Sequence, residues 1–107
     1  MANAGDSRCV AALKDGTFKD LSVDHKPDEE EEKTRIEAAG HTVENKRVDG
    51  KIAISRAIGD WLFKTDDPKK ESHEMAITAK PDVRTHVVSE LDFIVLACDG
   101  IWDRMSS

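Results

Sequence analysis

The stretch Asp92-Phe93-Ile94-Val95-Leu96-Ala97-Cys98-Asp99-Gly100-Ile101-Trp102-Asp103 decides the fold. From Phe93 to Cys98 the chain is continuously apolar, the pattern of a short strand buried on both faces. It runs straight into Asp99-Gly100. A carboxylate at the end of a central strand, beside a glycine where the backbone turns sharply, aims a ligand oxygen into a cleft. Asp103 follows at i+4, so Asp99 and Asp103 face one pocket if a helix or turn starts at Gly100. Each has a plainer use as well: Asp99 as the cap of that helix, Asp103 as a first-turn acid on the helix dipole.

Immediately upstream, Pro81 to Val88 alternates like an edge strand opened by proline. Before it, residues 59–80 lose all periodicity apart from the aromatic pair Trp61 and Phe63; irregular stretches of this length are uncommon and are often functional. Nearer the N-terminus, Cys9 to Leu13 and Thr17 to Leu21 flank Asp15-Gly16, which predicts a hairpin with a type I′ turn. Thr42 to Val48 and Lys51 to Ile54 flank Asp49-Gly50, which predicts a second hairpin.

Between the hairpins lies one helix. Asp28 with Glu31 makes an acidic capping box, and Glu29 to Glu32 crowd the first turn, where the positive end of the dipole favours them. Glu29–Lys33 and Glu31–Arg35 are i,i+4 pairs in the favourable order. Gly40 ends the helix. With only Ile36 and Ala39 on its apolar face, the helix is expected at the surface. The glutamate run lacks the Asp/Asn spacing and glycine of a calcium loop, so it reads as a solvated helix start rather than a metal site.

Composition narrows the function. The 107 residues carry 16 Lys+Arg and 22 Asp+Glu, a net charge of −6, and 36% are charged against roughly 25% in ordinary domains. An acidic chain with a pI near 5.1 lacks the basic footprint of a nucleic-acid binder. No apolar run approaches the ~20 residues of a membrane helix, and no signal peptide is legible. Cys9 and Cys98 make no disulfide framework, and Cys98 reads as a reduced, buried thiol. The expectation is a soluble intracellular chain, in cytoplasm and/or nucleus, with no nucleic-acid or membrane partner. There is no phosphate-cradling glycine loop, no Cys-x-x-Cys, no His-Glu-x-x-His and no legible Ser/His/Asp set. His25, His41, His73 and His86 are scattered and are assigned no site. What remains is one acidic pair beside a long loop, which suits a hard cation needing more oxygen ligands than this chain clearly supplies.

Taken together, the motifs resemble the metal-dependent protein serine/threonine phosphatases of the PP2C (PPM) type. The matching segments are Ala4-Gly5-Asp6-Ser7-Arg8, Asp24-His25-Lys26-Pro27, Glu32 to Gly40, Arg47-Val48-Asp49-Gly50, Ser55-Arg56-Ala57-Ile58-Gly59-Asp60, Lys80-Pro81-Asp82-Val83 and Asp92 to Asp103, in the family's order. The resemblance implies an α+β fold: part of a four-layer α-β-β-α sandwich of mostly antiparallel sheets, incomplete at both ends. Residues 1–107 would be the central portion of a single phosphatase domain, with 61–79 as a flap-like loop.

The implied activity is hydrolysis of phosphoserine or phosphothreonine in proteins by a water activated by Mg2+ or Mn2+, two or more ions per complete domain. The implied metal ligands are Asp99 and Asp103. Asp6, Arg8 and Arg56 are expected to be structural, as Arg–Asp pairs fixing strand ends. The implied partner is a phosphoprotein substrate, and the parent domain is expected to be a monomer. The family's upstream Asp-Gly-His-Gly-type motif, its phosphate-binding arginine and its downstream Asp-Asn pair are absent from these 107 residues. The isolated chain is therefore expected to have little activity. A pseudophosphatase, or a truncated binding module of the same fold, is the alternative reading.

Overall fold

The computed structural model describes residues 1–64 and 69–106. The alternation around Asp15-Gly16 forms β2 (Arg8–Leu13) and β3 (Phe18–Asp20), paired antiparallel with Val10 opposite Asp20. The connecting turn is not type I′. Gly16 alone has positive φ, at 84°, while the Leu13 amide donates to Thr17 at 2.8 Å and the Gly16 amide to Leu13 at 3.0 Å. Asp15 stays out of the left-handed region because its carboxylate accepts from the Thr17 amide and hydroxyl, at 2.9 and 2.7 Å.

The apolar run forms β7 (Leu91–Ala97), antiparallel to β2 in the three-stranded order β3-β2-β7. The expectation of a strand buried on both faces fails. Among the described residues only β2 pairs with β7, which leaves it at a sheet edge. Beyond Leu91 little among the described residues covers its faces, so Phe93, Ile94 and Leu96 are 58%, 52% and 73% exposed. Cys98, just past the strand, is likewise exposed; the buried thiol is Cys9. The uncovered sheet also draws the molecule out: its radius of gyration is 15.6 Å, against about 13 Å for a compact domain of this length.

Two further strand pairs are short. β1 (Ala2–Asn3) pairs with β6 (Asp82–Val83), the only regular strand within the predicted edge segment. β4 (Val43–Glu44) pairs with β5 (Arg47–Val48) through Asn45-Lys46, both at positive φ. The second hairpin therefore turns one step earlier than predicted. Asp49-Gly50, also at positive φ, makes the next turn, and only Ile52 behind it bridges back to Val48.

The helix α1 spans Glu30–Ala38. Its N-cap is Glu29, with no side-chain cap bond, because a turn from Lys26 to Glu29 comes first; Asp28 instead meets Lys46 at 3.3 Å. The C-terminus is as expected. Gly40 at φ 89° lets its amide reach Glu37 and the His41 amide reach Ile36, a Schellman ending. The predicted i,i+4 pairs are replaced by Lys33–Glu37 at 3.8 Å and by Arg35–Glu32, at i,i+3, at 2.8 Å. Glu32 and Ile36 are buried, so one face of this helix is interior.

The core lies in two clusters. Ile36, Val48, Phe63, Ala76 and Ile77 form one, with Ala39, Val43, Ile52 and Ala57 against it. Cys9, Ala11 and Leu21 form the other, under the sheet, with Leu13 and Leu91. The aperiodic stretch thus supplies core: Trp61–Phe63 and Ser72–Glu74 are single 3-10 turns, and Thr78 bridges to Arg56. Within that stretch, residues 65–68 lie outside the described residues.

Candidate functional site

At the end of β7, Ala97 sits opposite Arg8 on β2. Cys98 is extended, and a single helical turn, α2 (Asp99–Trp102), follows. Cys98, not Asp99, occupies the N-cap, so the Asp99 carboxylate is not spent on capping. Asp99 takes the first helical position. Asp103 closes the turn, its amide donating to the Asp99 carbonyl at 2.8 Å. Both side chains are exposed at the same end of the sheet. Gly100 is not needed for a sharp turn: its φ is negative, and an added Cβ would make ordinary contact with the Cys98 sulfur at 3.6 Å.

Two aspartates one turn apart supply the hard oxygen donors that Mg2+ and Mn2+ prefer. They are an incomplete set, since no group of three or more His, Cys, Asp or Glu among the described residues is arranged to hold a metal.

α2 is fastened to the sheet by Trp102. Its indole Nε1 donates to the Ala97 carbonyl at 2.8 Å, and the Arg8 guanidinium carbon lies 5.7 Å from its ring. Arg8 is itself held by Asp24, Nε to Oδ1 at 3.1 Å and Nη2 to Oδ2 at 3.0 Å. Sequence reading left Trp102 without a role, because cross-strand register is what brings it to Arg8.

A second polar centre joins α1 to the segment after the second hairpin and to β6. Glu32, 3% exposed, receives Arg56 Nη2 at 2.6 Å and Nε at 3.0 Å, and accepts from the Ser55 hydroxyl. Arg56 Nη1 reaches Asp82 at 2.7 Å. Burial works against the charge on Glu32, but the hydrogen bonds from Arg56, Arg35 and Ser55 outweigh it and hold the carboxyl down at about 2. Burial likewise opposes the charge on Asp82, and Arg56 and His25 more than offset it, lowering that pKa.

His25 is buried, not solvated. The Gly5 amide donates to its Nδ1 at 3.2 Å, and its Nε2 lies 3.3 Å from Asp82. Asp6 pairs with Lys26. Arg8 with Asp24 and Arg56 with Asp82 make the expected Arg–Asp pairs, whereas Asp6 pairs with a lysine instead. The inward Glu32 was not legible within a run of four glutamates.

The fold seen here is that of solved phosphatases. A crystal structure of a phosphatase from Toxoplasma gondii superposes with a TM-score of 0.84 at 43% identity, covering 95% of this chain and 31% of that one. The family model described as Protein phosphatase 2C matches residues 1–107, and the chain belongs to that family. The chain is 54% identical over 108 residues to Protein phosphatase 2C homolog 2 of Aspergillus fumigatus, and 53% identical over 107 residues to Protein phosphatase 2C homolog 3 of Schizosaccharomyces pombe. These matches cover 100% and 99% of this chain but 25% of each relative. The chain therefore spans about a quarter of the length of the curated relatives it matches. Its α+β architecture, with antiparallel strands and a packed helix, is that of the family. No helix among the described residues is long and apolar enough to cross a membrane.

Proposed function

We propose that this chain is the central portion of a protein serine/threonine phosphatase domain, to which it brings Asp99 and Asp103 as ligands for Mg2+ or Mn2+. The observation that carries this reading is the pair of exposed carboxylates on one turn at the end of β7, neither side chain spent on a helix N-cap, in a chain of this family. When bound, such cations lower the pKa of a coordinated water and neutralise charge on the phosphoryl oxygens.

The chain's own residues do three things. Asp99 and Asp103 present oxygen donors on the exposed side of α2. β7 and β2 fix the height of that turn through the Arg8–Ala97 register. The Glu32–Arg56–Asp82 network holds the segment before the irregular stretch in place, so that the flap-like loop expected within 61–79 starts from a fixed point, while Phe63, Ala76 and Ile77 of that stretch serve the core.

Two donors are fewer than a hard cation takes, so the remaining ligands must come from elsewhere in a complete domain. The isolated chain is accordingly a poor phosphatase. The substrate is a phosphoserine or phosphothreonine protein, acted on in a soluble compartment of the cell.

The test is Mn2+-dependent release of phosphate from a phosphothreonine peptide by the whole protein carrying this chain, with Asp99→Asn compared to the parent. A loss larger than the roughly 10- to 100-fold typical of outer-shell partners is expected for a ligand to a catalytic ion. Full activity in Asp99→Asn sinks the ligand assignment. A parent without any metal-dependent hydrolysis turns the reading to a binding module of the same fold.

A further inference from the structure

The single turn that carries Asp99 and Asp103 cannot hold its own position. Four residues are far below the length at which a helix is stable by itself, and no side chain caps this one. Its backbone bonds, Ile101 to Cys98 at 3.1 Å and Asp103 to Asp99 at 2.8 Å, fix its shape but not its angle to the sheet. Of the α2 residues only Trp102 is withdrawn from solvent, and it is the one that reaches back. Its Nε1–H grips the last carbonyl of β7, while its ring lies near the Arg8 guanidinium. Arg8 stands opposite Ala97 and is aligned by a two-point bond to Asp24. The result is a connected set, Asp24–Arg8–Trp102–Ala97, that ties α2 to two places on the sheet.

The geometry points to Arg8, acting through Trp102, as a positioning residue that sets the metal affinity of Asp99 and Asp103. Neither Arg8 nor Trp102 is assigned a ligand role; they fix where the carboxylates stand. The inference rests on the reading of Asp99 and Asp103 as ligands given above.

Arg8 suits this task better than lysine would. A planar guanidinium engages a carboxylate at two points and still offers its face to an indole, whereas an ammonium keeps the charge but neither the fork nor the plane. Outer-shell partners of this kind typically tune metal affinity by about tenfold or more.

The test is Mn2+ affinity measured by electron paramagnetic resonance of the free ion. It uses the whole protein carrying this chain, as parent, Asp99→Asn, Arg8→Lys and Trp102→Phe. A core variant remote from α2, Ile36→Val, serves as a control for lost stability. The expected result is a weakening of about tenfold in Arg8→Lys and in Trp102→Phe, larger than in Ile36→Val at a matched drop in melting temperature. Hydrolysis by both variants should return toward the parent rate at saturating Mn2+.

Unchanged affinity in Arg8→Lys and Trp102→Phe, with Asp99→Asn impaired, overturns the positioning role and leaves the ligand reading standing. Unchanged affinity in Asp99→Asn overturns both. Weakening that the Ile36→Val control reproduces, or a deficit that excess Mn2+ does not restore, assigns the pair a purely structural role. If Arg8→Lys does not fold, Trp102→Phe decides alone.

Discussion

Arg56 Nη2 and Glu32 Oε1 lie 2.6 Å apart, both inside the protein, and join the segment after the second hairpin to the helix α1. The same glutamate takes Arg35 from its own helix at 2.8 Å. One carboxylate thus answers two guanidiniums, and Arg56 has Asp82 as a second acid. The site is well satisfied, and so it is sensitive to loss of any one member.

Replacing Arg56 leaves the buried Glu32 carboxylate with Arg35 as its one guanidinium. Arg56→Met is expected to destabilise the fold by about 2 kcal/mol in urea unfolding, the loss of charge-assisted hydrogen bonds. The double variant Glu32→Gln/Arg56→Met should lose less than the two single losses combined, since both single changes remove the same bonds. Strict additivity would mean that the two side chains are not coupled.

The pH dependence follows from the sign of the shift. The Glu32 carboxyl is held at about 2, below its ordinary 4.5. A depressed carboxyl stabilises the folded state fully above the ordinary value, and that contribution drains away as pH falls through the folded one. Stability should therefore decline from about pH 5 down to about pH 2. Glu32→Gln should be less stable at neutral pH and show a flatter decline in that window. A parallel decline in both proteins, followed by circular dichroism, would assign the acid sensitivity to other groups.

Gly40 is a backbone requirement rather than a packing one. Its φ is 89°, and no atom lies within 4 Å of where a Cβ would stand. Gly40→Ala should cost about 1 kcal/mol, the penalty of a left-handed residue at a helix end. A cost near zero would mean that the Schellman ending is not maintained in solution.

Leu96 is 73% exposed on an unpaired edge. Leu96→Lys in the 107-residue chain should change stability by less than about 0.5 kcal/mol. It should also suppress association in sedimentation experiments, because charge on a bare edge opposes strand addition. A large loss of stability would show that this side chain is covered.

The sequence announced the first hairpin, the helix end at Gly40 and the strand–turn junction at Asp99, because each has a local cause: alternation, a glycine, an apolar run broken by charge. It misled where the cause was tertiary. Asp15-Gly16 has the composition of a type I′ turn, yet the Asp15 side chain bonds forward to Thr17 and holds its own φ negative. The turn at Asn45-Lys46 has no strong local signal, because lysine seldom adopts positive φ.

Glu32 is indistinguishable from its neighbours until the helix phase turns it toward Arg56. The apolar run at β7 predicted burial on both faces and was wrong: burial needs a second surface, and the described residues supply almost none over Phe93 to Leu96. At the candidate site, the i,i+4 spacing of Asp99 and Asp103 put both on one turn, but their reading as ligands came from the family resemblance and not from the spacing. The pairing of Arg8 with Trp102 was not legible, since ninety-odd residues of chain separate two groups that only strand pairing brings together.

Arg35 has a consequence for how this protein can diversify. Its guanidinium holds the main-chain carbonyls of Met75 at 3.0 Å, Ser55 at 2.7 Å and Ala76 at 3.3 Å, while Lys64 anchors to the Ala57 carbonyl at 2.9 Å. Both feet of the intervening stretch are thereby nailed to the framework. Chain inserted between fixed feet is thermodynamically mild, about 0.6 kcal/mol for each doubling of length. Changes of length or sequence between these two anchors therefore need not disturb Phe63, Ala76 and Ile77, which sit at or outside the anchors in the core cluster.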